Sequence, residues 1–475
     1  MLFNSLEFLI FIPVFLVCYL TARGQIRLWI CLVFSAIFYG WWDWRLLGIL
    51  WFCTLVGYFI GLSLDRATDP RKRRLLLILG TAINLGLLGI FKYTNFSINS
   101  LVMAFGKLGI HIDIEPLRII LPVGISFFTF RNISYLVDVY RREIPVESSL
   151  LGFANFLTLF PLVLAGPITR GGPLLSGLRD NQQIHWNRFL EGASLVFWGY
   201  FKKVVIADSL ALIVDSRFAH PEAHTSLSLL IGVLFYSFQI YCDFSGYSDI
   251  AIGIGRILGL DFGINFDRPY FSSSFSEFWR RWHISLSSWL RDYLYIPLGG
   301  NRYGRFNTYR NLGVTMLLGG LWHGAQWNFV IWGALHGLFL VFQHTYAWIG
   351  VRLGAPLLLP KWLIMVIGTI VVFCSASVAW IFFRAQTFEG AVSVIRGIIS
   401  FDNMNFEEVP NRFLVVKGLI LIGLLFGIEA LSFRISFYDL LRRRPILRLV
   451  AGAAILWSLA LFGSFTGNTF IYFQF

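Results

Sequence analysis

Apolar residues fall along this chain in long runs, not in alternating faces. The runs occupy residues 6–20, 28–42, 45–64, 75–91, 119–139, 150–166, 189–201, 204–216, 226–259, 312–346, 361–383, 413–433 and 446–463. Each reads as a helix, because an open sheet edge in lipid would leave backbone groups unpaired. At ~20 residues per crossing the chain has material for roughly ten to thirteen spans. Three polar stretches stand between them: an outward loop over 92–118, a segment over 168–188, and the largest non-spanning piece, 262–310. No low-complexity tract, heptad array or internal repeat stands out, so the expectation is one integral, all-α domain over 1–475.

Composition agrees. With 57% hydrophobic and 14% charged residues and a mean hydropathy of +0.68, the chain cannot cover a soluble globule of this size. The first twenty residues lack the basic start and cleavage site of a signal peptide and read as an uncleaved first span. Cys18, Cys31, Cys53, Cys242 and Cys374 are scattered through apolar runs without CxxC spacing, and read as small buried hydrophobes, with no metal site.

The net charge of +13 comes from clusters between apolar runs. That is the positive-inside pattern, and it does not call for nucleic acid. Arg66 with Arg71 to Arg74, Arg141 with Arg142, and Arg442 to Arg444 mark cytoplasmic loops, with both termini outward. Lys202 and Lys203 split one apolar run, and placing both at the cytoplasmic interface keeps the orientation consistent. The cationic stretch from Arg268 to Arg310 then becomes a cytoplasmic-side interfacial segment.

Within that segment Trp279, Trp282, His283, Leu286, Trp289, Leu290 and Tyr293 recur at three- and four-residue intervals, the period of one helix face. Arg280, Arg281, Ser287, Ser288 and Arg291 fall on the other face, which makes an interfacial helix running from Phe278 to Tyr293. His283 sits on the aromatic face. A plain amphipathic anchor and a histidine aimed into a cavity both fit this pattern. His323 interrupts a different run, between Gly319, Gly320 and Gly324, with Trp322, Gln326 and Asn328 close by. A neutral imidazole at membrane depth is the form a general base needs. A packing histidine bonded between helices also fits.

Asp243 and Asp249 lie in an apolar stretch at a spacing that sets them on different helix faces, so a carboxylate dyad is not expected and a structural role is. The stretch Leu121 to Phe130 contains Pro122 and Gly124 and reads as a kinked helix, with Ser126 and Thr129 repairing freed backbone bonds. His111, His185, His220, His224, His336 and His344 read as loop or span-end residues without a catalytic role.

Several of these stretches together resemble the membrane-bound O-acyltransferase family. They are Leu121-Pro-Val-Gly-Ile-Ser-Phe-Phe-Thr-Phe130, Pro161-Leu-Val-Leu-Ala-Gly-Pro-Ile168, Phe201-Lys-Lys-Val-Val-Ile-Ala-Asp208, Tyr241-Cys-Asp-Phe-Ser-Gly-Tyr-Ser-Asp249, Asn265-Phe-Asp-Arg-Pro-Tyr270, Phe278-Trp-Arg-Arg-Trp-His283, Tyr295-Ile-Pro-Leu-Gly-Gly-Asn-Arg302, Leu321-Trp-His-Gly324 and Trp380-Ile-Phe-Phe-Arg-Ala385. The likeness runs from Leu2-Phe-Asn-Ser5 to the Phe470–Phe475 ending and is nearest the bacterial branch that acts on alginate and teichoic acid.

That resemblance implies a ring of transmembrane helices around a central tunnel, with interfacial or re-entrant helices. It implies His323 as the catalytic residue and His283 as a second characteristic position, which with nearby donors would orient the acyl group. Arg131 stands where the family pattern has a neutral residue and would add charge near the inner mouth of the tunnel. The donor would be acetyl-CoA or an acyl-carrier thioester, with no bound cofactor. Arg280, Arg281 and Arg291 would meet its phosphates or, equally well, anionic lipid. The acceptor would be an extracytoplasmic polysaccharide such as alginate, reached directly or through a partner protein outside the bacterial plasma membrane. Teichoic acid, peptidoglycan, cellulose or lipid are alternative acceptors, and a transporter or flippase is the alternative from another class.

Overall fold

A computed structural model describes the chain except residues 112, 165, 180–184, 354–358, 436–439, 441–443, 464–470 and 472–475. Arg442, Arg443 and most of the aromatic C-terminal ending lie outside the described residues. Every regular element among those described is helical. In chain order they are α1 Leu6–Thr21, α2 Gln25–Gly40, α3 Leu47–Arg66, α4 Pro70–Leu88, α5 Thr94–Lys107, α6 Ile125–Arg141, α7 Leu150–Thr158, α8 Phe160–Val163, α9 Gly171–Arg179 and α10 Trp186–Tyr200. There follow α11 Asp208–Ala219, α12 Ser226–Ile257, α13 Phe275–Arg281, α14 Ile284–Leu290, α15 Gly304–His323, α16 Trp327–Leu353, α17 Lys361–Arg384, α18 Phe388–Ile399, α19 Arg412–Leu431 and α20 Pro445–Phe462.

Among the described residues, five helical stretches are long and apolar enough to cross a membrane: 44–66, 70–107, 226–257, 361–384 and 412–431, with α1, α2 and most of α20 as shorter apolar helices. The apolar run 150–166 is not one crossing. It breaks into α7 and α8, buried from Gly152 to Val163, because Leu159 leaves the helical region before Pro161. Hydropathy alone does not separate a helix wrapped in protein from one wrapped in lipid.

α12, 32 residues long and 78% buried over its apolar window, is the central post. α10 packs along it through facing glycines. A methyl group at Gly199 would meet the Gly246 carbonyl, and one at Gly192 the Gly253 carbonyl, so only glycine permits this approach.

Between α10 and α11 the helix widens into a π turn, Phe201–Ala207, that carries Lys202 and Lys203. Neither lysine lies at a wet interface; they are 4% and 1% exposed. Lys202 pairs with Asp249 at 2.7 Å, and Lys203 with Asp208 at 2.8 Å and Asp243 at 2.5 Å. Asp243 also accepts from the Ile471 backbone N–H at 2.8 Å, which ties the C-terminal segment to the post. The aspartates are structural, and the lysines are their counter-ions.

Two further expectations, the kinked helix and the burial of all five cysteines, are corrected. Pro122 and Gly124 do not kink a helix: they precede α6, which begins at Ile125 after Gly124 at φ +75°. Arg131 is fully buried and reaches toward the Phe156 carbonyl of α7 at 3.4 Å. Cys31, Cys53 and Cys242 are buried as expected, whereas Cys374 is exposed on the outer surface of α17.

Candidate active site

The site grows from two helix interruptions. α15 ends at His323, because Gly324 turns extended at φ −160°, ψ 150°, and α16 starts three residues on. The two helices close tightly against each other, since a side chain at Gly320 would strike the Phe329 carbonyl and one at Gly333 the Met316 carbonyl. This drives the end of α15 into the protein, and His323 is 4% exposed. Its ring lies edge-on to Trp322 and Trp332, both 4.9 Å away, and 5.3 Å from Phe383.

The second interruption is at His283 itself. The expected continuous helix from Phe278 to Tyr293 is broken: α13 ends at Arg281, and His283 takes the left-handed conformation at φ +42° before α14 begins. The helical period survives on both sides, and Phe278, Trp279, Trp282, Leu286, Trp289 and Leu290 are all buried as the pattern requires. A buried non-glycine residue in that region stores strain and persists only where its surroundings hold it.

Asn265 is what holds it. The Ile284 N–H donates to the Asn265 backbone carbonyl at 2.8 Å. The Ser285 N–H and hydroxyl donate to Asn265 Oδ1 at 3.2 and 2.9 Å, and Asn265 Nδ2 donates to Ser248 Oγ at 2.9 Å. A backbone N–H can only donate, so the amide oxygen is on the side facing Ser285. His283 Nδ1 lies 3.1 Å from the same oxygen and must therefore carry the proton. The neutral ring then presents Nε2 as a bare acceptor, with no partner among the described residues.

The two imidazoles are 6.5 Å apart between ring centroids, with Trp322 5.8 Å from His283. Trp322 and His323 line a cavity of about 150 Å³ together with Trp42, Lys92, Ser126, Phe127 and the residues that lead into α6. The indole Nε1 of Trp322 has no partner among the described residues. Such a cavity can hold a reacting centre between a base and hydrogen-bond donors.

The other expected residues divide. Gln326 is exposed. Asn328 is buried, and its side chain donates to the Ala385 carbonyl at 2.8 Å, which pins the start of α16 to the end of α17. Arg281 pairs with Glu277 at 2.9 Å, and Arg291 with Asp292 at 2.7 Å. Arg280 is exposed. None of the three arginines lines the histidine cavity. Ser126 repairs no backbone bond but lies 3.4 Å from the Lys92 ammonium, and Thr129 Oγ1 has no partner among the described residues.

Three residues escaped the sequence reading. Asn265 opens one of the family-like stretches, but nothing local announced its role, since its partner His283 stands eighteen positions on. Lys92 closes an apolar run and looks like the first residue of a loop, yet it lies in the cavity. His336 is no span-end residue: it is 1% exposed in mid-α16, caged by Trp279, Trp332 and Phe278 at centroid distances of 5.1, 4.7 and 6.0 Å.

Residues 36–349 match the pattern of MBOAT, the membrane-bound O-acyltransferase family. The chain is 43% identical over 417 residues to a probable alginate O-acetylase of Pseudomonas putida, covering 86% of this chain and 82% of that one. It is 42% identical over 419 residues to the probable alginate O-acetylase of Pseudomonas aeruginosa, covering 86% and 77%. It is 35% identical over 438 residues to a peptidoglycan O-acetyltransferase of Helicobacter pylori, covering 85% and 81%. With two buried histidines 6.5 Å apart, one of them lining the cavity, these likenesses lead to one conclusion: the chain belongs to the membrane-bound O-acyltransferase family and is an O-acyltransferase.

Proposed function

We propose that this enzyme moves an acetyl group from a thioester donor to hydroxyls of an extracytoplasmic polysaccharide of the alginate kind, from the bacterial plasma membrane. The observation that carries the reading is the pair of buried imidazoles 6.5 Å apart beside the cavity. Support for the acceptor class comes from the relatives named alginate O-acetylase, whose likeness covers most of both chains. Their names speak for acyl transfer, and no observation here favours a transporter or flippase.

In this reading His323 takes the proton of the acceptor hydroxyl as its oxygen attacks the thioester carbonyl carbon. A tetrahedral oxyanion forms, the C–S bond breaks, and the proton passes to the departing thiolate. His283, held as the Nδ1–H tautomer by Asn265, offers a lone pair and not a proton. It orients whatever donates to it, and the Trp322 indole N–H takes the task of bonding the acyl oxygen. The donor is acetyl-CoA or a carrier-bound acetyl thioester, and Arg280 and Arg291, both exposed, are the arginines open to its phosphates. A partner protein outside the membrane carries the acetyl group onward where the polymer itself does not reach the cavity.

The test is base-labile acetate in the extracted exopolysaccharide of a strain lacking its own copy and supplied with wild-type protein or His323→Ala. The expected result is ester acetate restored by the first and absent with the second, at equal membrane abundance. Full acetylation by the variant would remove His323 from the chemistry.

A further inference from the structure

α4 does not stop where its apolar run stops. It continues through a π turn, Gly89–Tyr93, into α5. π turns insert a residue and re-aim side chains, and they recur at functional sites. This one aims two adjacent side chains at the same target. Tyr93 Oη donates to the Leu321 carbonyl at 2.7 Å. Lys92 Nζ donates to the Trp322 carbonyl at 2.5 Å, and lies 3.3 Å from the His323 carbonyl and 3.4 Å from Ser126 Oγ. The last carbonyls of a helix have no partner within it. Here three consecutive ones, ending on His323 itself, are bonded by side chains from one turn of another helix.

The ammonium also stands 6.0 Å from the centroid of the Trp322 ring and lines the cavity shared with His323. Among the described residues no carboxylate pairs with it. A cation away from water without a counter-ion is costly, and the negative end of the α15 dipole offsets only part of a unit charge. As an ammonium, Lys92 makes the cavity positive beside the histidine. Without Lys92, two bare carbonyls would turn toward it and reverse that sign.

We propose that Lys92 is a positioning residue of the active site, fixing the backbone of His323 and supplying the positive field in which the oxyanion of acyl transfer develops. The inference rests on the acyl-transfer reading above. Removal of a preorganised charge-stabilising group of this kind lowers turnover by ~10²–10³-fold. Lys92→Met shows that loss in the rate of ester-acetate formation, with membrane abundance and thermal midpoint unchanged. Tyr93→Phe, which drops one clamp and keeps the charge, loses no more than ~10-fold.

The decisive experiment restores the charge chemically. Lys92→Cys in membranes is treated with methanethiosulfonate ethylammonium, whose sulfur joins the thiolate as a mixed disulfide while methanesulfinate leaves, which gives the side chain an ammonium again. Methyl methanethiosulfonate attaches a neutral group by the same reaction. Intact mass verifies both labels, and treated wild-type protein accounts for the five native cysteines. The expected result is at least a tenfold recovery with the ammonium reagent and none with the methyl reagent. Equal recovery with both, recovery with neither, or a Lys92→Cys variant as active as wild type overturns the inference. His323→Ala, carried in parallel, separates the two readings: if it too stays active, the acyl-transfer assignment of this cavity falls, and not only the role of Lys92.

Discussion

Two regions of this protein place ionisable side chains inside apolar helices, and they do it in opposite ways. Around the π turn at Phe201–Ala207, Lys202 and Lys203 meet Asp208, Asp243 and Asp249, so that each charge has an opposite one within 2.8 Å. Around His283 and His323 the neighbours are Phe244, Trp322, Trp332 and Phe383. His283 Nε2 and Trp322 Nε1 are left without a partner among the described residues. Both regions break the hydropathy of the sequence, yet in the first every charge is matched by an opposite one, whereas the second leaves an imidazole acceptor and an indole donor unmatched. An ionisable residue in a membrane segment marks function only when the fold does not use up its bonds; where it does, the group belongs to the scaffold.

The sharpest way to break this comparison is to remove the middle of the ion cluster. Lys203→Met leaves Asp208 and Asp243 buried without their cation, and deletion of one partner from a buried pair costs about 3–5 kcal/mol. The expected outcome is loss of folded protein from the membrane, read by abundance and by the melting transition in detergent. A stable variant with damaged catalysis would move the cluster into the functional class.

His323→Gln probes the other side. It keeps a polar side chain of similar reach but no base, so acetyl transfer falls by ~10²–10⁴-fold, the range for a positioned general base. The melting transition stays within about 1 kcal/mol of wild type, since glutamine fills much of the same space and stays polar. The two variants thus exchange readouts, one losing fold and the other losing chemistry.

Asn265 lies between these extremes. Asn265→Ala removes the acceptor that fixes the His283 tautomer and its left-handed backbone. Loss of a residue that orients a reacting group in this way costs ~10–100-fold by analogy with the outer shell of metal sites. Asn265→Asp still offers an oxygen to His283 Nδ1–H and to the Ser285 N–H, and it recovers most of the activity. An inactive Asp variant with an active Ala variant would show that His283 works through its other tautomer.

The same contrast explains what could be read from the chain. The all-helical membrane class follows from composition, and His323 stands out because glycines flank it and polar residues follow. The burial of Trp279, Trp282, Leu286 and Trp289 followed from their period alone. The break at His283 did not, because a single left-handed residue leaves the apolar period undisturbed on either side. Lys202 and Lys203 read as residues of the cytoplasmic interface because the aspartate paired with Lys202 lies 47 positions away. Lys92 was placed in a loop because nothing local announces that its helix continues through a π turn.

The smallest expected effect belongs to Glu429, which carries a carboxylic group into α19 and accepts a hydrogen bond from Tyr241 Oη at 2.5 Å. It is 9% exposed and lies at the edge of the ion cluster, bonded to a phenol and not to a lysine. Glu429→Gln keeps an amide oxygen in the accepting position and removes the titratable proton, with an NH2 group in place of the second carboxyl oxygen. If the cluster is scaffold, this variant loses at most the net value of one hydrogen bond, about 1 kcal/mol. It would shift the melting transition slightly and leave ester-acetate formation unchanged. If acetyl transfer instead fell tenfold or more at unchanged stability, the carboxyl group would be exchanging a proton during turnover. The line drawn here between a scaffold with its charges paired and a site with its polar atoms free would then have to be moved to include Tyr241 and Glu429.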